Sequence, residues 1–326
     1  MDWTAAELAK VANSIVRVSL DIKAGEEVAI VADHGSDFAV VDALIAAACG
    51  VGAEVTSLVM PRRARAGAPA NEVVSAALMG ANAIIAPTST ALTFTPALNA
   101  ARRERGARVI VMSGTRREQL LSGAGLADYD QVYAVTRQLA DVLEAGTTIR
   151  VTSAAGSDLT ASIDGVAVGC GAAFARGPGE ISAFPSGEAW MSPVTGSGRG
   201  VLVADGSAHM LGFLSQPIRV TFEHGRAVSI EGGDQADRLR EIIGGVENGD
   251  NLGELSVGTN PSAGFTGNIT EDKKRLGTVH FALGNSVAGG DVHSPLHLDL
   301  LIRVPTVEVD GEPVVTEGEL VGLKQS

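Results

Sequence analysis

Cysteine is almost absent from the chain: only Cys49 and Cys170 occur in 326 residues. Cys49 lies in the helix-like run "LIAAACGVGA", so no structural disulfide is expected. No apolar stretch reaches roughly 18 residues without a polar interruption, which argues against a membrane span. Positive charge is also scarce, with 25 Lys and Arg against 38 Asp and Glu, a net charge of −13 and no basic run. Nucleic acid and anionic membrane surfaces are therefore not expected partners. The first residues, "MDWTAAELAK", lack a basic segment followed by an apolar core, so no signal peptide is expected and the cytoplasm is the expected location. No G-x-G-x-x-G follows the first strand-like segment; "DHGSDF" stands there, which disfavours a dinucleotide site.

What is present suits a large core. Hydrophobic residues make up 45% of the chain and charged ones 19%, and the length fits two domains better than one. Through residue 146, strand and helix signals alternate. "EEVAIVAD", "EVTSLVM", "AIIAP" and "RVIVMS" read as buried strands. "SDFAVVDALIAAACGVGA" (with Ser36 as N-cap), "PANEVVSAALMGA" and "TPALNAARRERGA" read as the helices between them. This grammar implies an α/β domain over 1–146 with a mostly parallel sheet covered on both faces. After the helix in "ADYDQVYAVTRQLADVLEAG", glycine turns and alternating segments dominate, with hairpins at His224-Gly225 and Asp310-Gly311 and one helix in "DQADRLREIIGGV". Residues 147–326 are therefore read as a β-rich α+β domain.

Chemistry gathers in this second part. All but one of the six histidines lie beyond residue 200. In "SPLHLDLLI" the side-chain period of a strand puts His297 and Asp299 on one face and Leu296, Leu298 and Leu300 on the other. Burying a carboxylate beside an imidazole is costly unless something compensates, and a metal ion is the usual compensation. His280 lies in the apolar "GTVHFALGNS", Glu254 in "LGELSVGTNP" and Glu188 in "FPSGEAWMSP". Three carboxylates and two imidazoles on strand or strand-end positions suit one or two divalent ions with open positions for water and substrate. Their ligand charge would nearly neutralise two such ions. Asn285, Ser286 and His293 are further candidates, as groups that touch substrate.

These four motifs, in this order and spacing, resemble the metal-binding motifs of the aminopeptidase T family of metallopeptidases. The resemblance implies Glu188, Glu254, His280, His297 and Asp299 as ligands of two ions (Zn, Mn or Co), with Glu254 or Glu188 as bridging ligand or general base. It also implies a homodimer acting on a small molecule or short peptide. The family's aminopeptidases carry a catalytic tyrosine seven residues after the histidine, where this chain has Val287. The leading expectation is thus a metal-dependent hydrolase of an amide or related C–N bond. One relative of the family, 5-nitroanthranilate aminohydrolase, is a hydrolase of a small aromatic molecule. Another, 2,5-dihydroxypyridine 5,6-dioxygenase, uses one iron on two histidines and an aspartate; it carries apolar residues at the positions of Glu188 and His280 and a histidine at that of Glu254, so this chain has the hydrolase ligand set. A mononuclear iron ring-cleaving dioxygenase is accordingly one alternative, and an ordinary leucyl-type aminopeptidase the other.

Overall fold

The structure, a computed structural model, describes residues 3–322 apart from 66, 94 and 288. It divides into one unit of Met1–Asp130 with Ala172–Ser186 and another of Gln131–Gly171 with Gly187–Ser326. The division differs from the boundary expected at 146. Helix Tyr129–Ala145 buries Leu139, Ala140 and Leu143 in the core of the second unit. Strand Ile181–Ala183 returns to pair with Arg108–Val111 in the first. Amphipathicity shows that a helix buries a face; it does not show which sheet receives it.

The first unit holds a five-stranded, wholly parallel sheet, ordered Glu54–Met60, Glu27–Asp33, Ala83–Ala86, Arg108–Val111, Ile181–Ala183. The run AIIA and the VIV that follows Arg108 are continuously apolar because both faces of a parallel sheet are covered. Glu54–Met60, read as buried, lies at the edge of the sheet, and most of its side chains are solvent-exposed. Helices Phe38–Gly50, Glu72–Leu78 and Pro96–Arg105 connect the strands. Asp37, rather than Ser36, caps the first of these by accepting from the Ala39 N–H at 3.1 Å. The Ser36 hydroxyl instead accepts from the Asp33 N–H.

The second unit is a pair of antiparallel sheets of eight and seven strands. They share one apolar core, in which Phe222 of the larger sheet meets Phe281 of the smaller edge-on at 6.1 Å. Both expected hairpins form: His224 and Gly225, and Asp310 and Gly311, all have positive φ. Among the described residues no helix is long and apolar enough to cross a membrane.

Candidate metal centre

Four strands of the smaller sheet lie side by side: His297–Ile302, Val279–Gly284, Leu252–Gly258 and Glu188–Met191. Alternate side chains of each enter the shared core, among them Leu298 and Leu300, Phe281 and Leu283, Leu255 and Val257, Ala189 and Met191. The intervening positions leave the other face of the sheet. They are His297 and Asp299, His280, Glu254 and Glu188, the five residues singled out from the sequence.

Glu254 reaches that face through an irregularity. Leu252 is in the core, so strict alternation would send Glu254 there too. Leu252 instead pairs with Leu283 and Glu254 with Ala282, leaving Gly253 as the extra residue of a β-bulge. A Cβ at position 253 would sit 2.4 Å from the Asn285 carbonyl oxygen, so only glycine fits.

The side chains converge. His297 Nε2 lies 2.8 Å from Glu254 Oε2 and 3.1 Å from Asp299 Oδ1. His280 Nε2 is 3.4 Å from Glu254 Oε1 and 3.8 Å from Glu188 Oε2. Glu254, His280 and Asp299 each offer a ligand atom within 4.8 Å of the others. The His280 ring is 0% exposed, whereas His297, 28% exposed, is the solvent-facing member. His297 Nδ1–H donates to the Asn285 carbonyl at 2.8 Å, which leaves Nε2 to face the carboxylates.

Two residues that the sequence reading did not single out complete the cluster. Lys273 Nζ donates to Asp299 Oδ2 at 2.8 Å and lies 3.8 Å from Glu188 Oε2. Lys274 Nζ donates to Glu188 Oε1. Burial opposes the charge of the three carboxylates, His297 and the two lysines, and for all but Lys274 the neighbours outweigh it. Lys273 and Lys274 hold the Glu188 carboxyl below its ordinary range despite burial. Lys273 and His297 do the same for Asp299, more strongly. The two imidazoles hold Glu254 well below the carboxylate range. Burial would lower the pKa of His297, but Asp299 and Glu254 raise it to about 10. Lys273 is raised against burial by Asp299 and Glu188, whereas burial and the Lys273 charge lower Lys274 despite Glu188.

The donor set suits a divalent ion. Glu188 Oε2, Asp299 Oδ1 and both ring nitrogens of His280 are buried with no hydrogen-bond partner. Leaving such groups unmade is expensive, and metal coordination is one use for their lone pairs. Imidazole and carboxylate together are the ligands of non-haem iron, zinc and manganese sites.

The other candidates are placed differently. The Asn285 amide is used inside its own loop, donating to the Ser286 carbonyl at 2.7 Å and accepting from the Ser294 N–H. The Ser286 N–H donates to Val292 O, and the His293 carbonyl accepts from Asn248 Nδ2. Val287 is fixed by Ser192, whose hydroxyl accepts from the Val287 N–H and has its single proton shared between the Gly253 and Val287 carbonyls, both within hydrogen-bond distance. For Lys273 and Lys274 the sequence holds only an indirect signal, the helix cap at Asn268 that fixes the short helix before them.

Residues 15–322 match the family model described as 2,5-dihydroxypyridine 5,6-dioxygenase (NicX). A 2,5-dihydroxypyridine 5,6-dioxygenase of Pseudomonas putida is 27% identical over 200 residues, and that match spans 57% of this chain and 57% of the relative. A solved structure of 2,5-dihydroxypyridine dioxygenase from Pseudomonas putida KT2440 superposes with a TM-score of 0.87 at 22% identity, covering 99% of both chains. Wild-type AmpT from Thermus thermophilus superposes with a TM-score of 0.70 at 18% identity over 97% of this chain and 99% of its own. The aminopeptidase T likeness is thus one of fold. The expectation of a metallohydrolase, aminopeptidase or metalloprotease is overturned, because the family matched along nearly the whole sequence is one of dioxygenases. The chain belongs to the 2,5-dihydroxypyridine 5,6-dioxygenase family.

Proposed function

We propose that the protein is a metal-dependent ring-cleaving dioxygenase acting on a hydroxylated pyridine or a closely related hydroxylated N-heteroaromatic. The observation that carries the reading is the convergence of His280, His297, Asp299 and Glu254 on one sheet face, in a chain of a dioxygenase family. These four would hold the ion. Two imidazoles with carboxylate ligands favour Fe(II), which supplies the one-electron chemistry that lets dioxygen react with a closed-shell aromatic ring. In the overall change a ring carbon–carbon bond breaks and both atoms of dioxygen enter the product.

The protein's own residues bind, orient and exclude water. The Asn285 backbone carbonyl fixes the His297 ring by accepting a hydrogen bond from its Nδ1–H. Burial of Glu254, His280 and Asp299 keeps the floor of the site dry, and the partly exposed His297 marks the side from which substrate approaches. The reading includes a homodimer, a part that light scattering showing a 33.2 kDa monomer would remove.

Anaerobic loading with Fe(II), followed by oxygen uptake on 2,5-dihydroxypyridine and other hydroxypyridines, tests the activity. Mass spectrometry after reaction in ¹⁸O₂ should find both labelled atoms in the ring-opened product. No oxygen uptake on any of them, or label entering from water alone, would overturn the reading.

A further inference from the structure

Two members of the cluster are aimed by something other than regular strand alternation. His280 and Asp299 lie inside paired strands, buried, and alternation alone turns them away from the shared core. His297 instead begins its strand and is the solvent-facing member, so its ring relies on the Nδ1–H bond to the Asn285 carbonyl. Glu254 owes its direction to the bulge at Gly253. One side chain touches both supports. The Ser192 hydroxyl lies 2.6 Å from the Gly253 carbonyl and 2.7 Å from the Val287 carbonyl, and accepts from the Val287 N–H at 2.8 Å. We infer that Ser192 is a positioning residue of the metal centre, which fixes Glu254 and His297 relative to each other through this one hydroxyl.

The place of Ser192 in the chain gives it this reach. It directly follows strand Glu188–Met191, which pairs with Leu252–Gly258, and it is buried. The extra residue of a bulge is left outside the ladder, and Ser192 supplies the Gly253 carbonyl with a donor. On its other side the hydroxyl grips the start of a turn, in which the Val287 carbonyl also accepts from the Gly290 N–H at 2.9 Å. A Cβ on Gly290 would stand 2.7 Å from Ser192 Cβ, so this turn lies directly against the serine.

Two residues before Val287 stands Asn285, whose N–H donates to Leu296 O at 2.8 Å. Its carbonyl, which holds His297, is also the atom that excludes a Cβ at position 253. Bulge and loop therefore meet twice, once at that close approach and once through the Ser192 hydroxyl. Without the hydroxyl the loop is free to draw back from the bulge, carrying the acceptor of His297 with it. Metal–ligand distances tolerate only about 0.2 Å, and the ring turns on that acceptor while Glu254 stays with its strand.

The inference rests on the reading of this cluster as a divalent-metal site, and two measurements separate them. In the full-length protein, Ser192→Ala should weaken Mn(II) binding by about tenfold in titration calorimetry, the lower end of the loss on removing a supporting partner. With ¹⁵N-labelled histidine in the metal-free protein, the His297 Nδ1–H signal, identified by its absence in His297→Gln, should exchange slowly in wild type and faster in Ser192→Ala. A folded Ser192→Ala with unchanged affinity or unchanged exchange would overturn the inference. Asp33→Asn, which loosens the other unit, should move neither readout; an equal loss of affinity there would assign the effect to stability and overturn it too. Ser192→Thr keeps the hydroxyl and should bind Mn(II) as wild type does, and a loss as large as alanine's would count against the hydroxyl. If Ser192→Ala does not fold by circular dichroism, Ser192→Cys, a weaker donor, replaces it with the same expectations. No Mn(II) binding by the wild type would overturn the metal reading, while exchange in the metal-free protein would still decide the role of Ser192.

Discussion

Two buried acids in this protein are solved in opposite ways. Asp33, at the end of a central strand of the parallel sheet, is 0% exposed. One oxygen accepts from the Gly35 N–H at 2.8 Å, and the other from the Ser89 N–H at 2.9 Å and the Ser89 hydroxyl at 3.0 Å. All these donors are neutral. Asp299, 5% exposed in the β-rich unit, keeps Oδ1 without a hydrogen bond and answers its charge with Lys273 and His297. A carboxylate that only holds loops together has both oxygens saturated with neutral donors. One kept for a ligand has its charge balanced by cationic neighbours and one oxygen left without a hydrogen bond.

That contrast can be broken, and the largest effect belongs to the centre. His297→Ala or Asp299→Ala should weaken divalent-ion binding by at least about a hundredfold, more than is lost on removing a supporting partner of a metal ligand. Titration calorimetry would show it, and full metal content in both variants would remove the centre as described. Asp33→Asn sharpens the comparison from the other side. An amide facing the Ser89 or Gly35 donors loses an acceptor, so stability should fall by about 1–3 kcal/mol in denaturant unfolding, with metal content unchanged. Ser192→Ala removes the hydroxyl that ties Val287 to Gly253 and should cost roughly 1–2 kcal/mol.

The smallest effect is at Asp37. It caps helix Phe38–Gly50 and pairs with Arg117, whose side chain holds its carboxyl below the ordinary value. Asp37→Ala should cost about 1 kcal/mol near neutral pH. Because the folded-state pKa is depressed, this stabilisation is present above the unfolded pKa of about 3.9 and lost as pH falls through the folded value. The gap in Tm between wild type and variant should therefore narrow in acid; a gap unchanged from pH 6 to pH 2.5 would assign it to something other than the charged carboxylate.

Much of this was legible in the sequence, for physical reasons that also mark where legibility stopped. Alternating strand and helix signals identified the parallel sheet, and four short motifs brought out Glu188, Glu254, His280, His297 and Asp299, which the fold gathers on one sheet face. The residues at 54–60 looked like a buried strand because Val55, Leu58 and Val59 are apolar, yet edge position is a property of the assembled sheet. The lysines were hidden for a related reason. Lys273 and Lys274 sit in a run from Glu271 to Arg275 with the composition of a solvated turn, and only the fold turns them inward against Glu188 and Asp299. Omitting them made the three carboxylates look like the complete charge of the centre.

The bulge at Gly253 makes the centre depend on the parity of residue count along one strand. Direction at position 254 is set by the backbone, so exchanging Glu254 for another long ligating side chain changes the donor without moving the scaffold. Deleting a single residue there is a different kind of event, because it would turn position 254 towards the apolar core beside Leu283 and Leu298. For a lineage exploring new metals on this fold, substitution is the open route and a one-residue length change is the closed one.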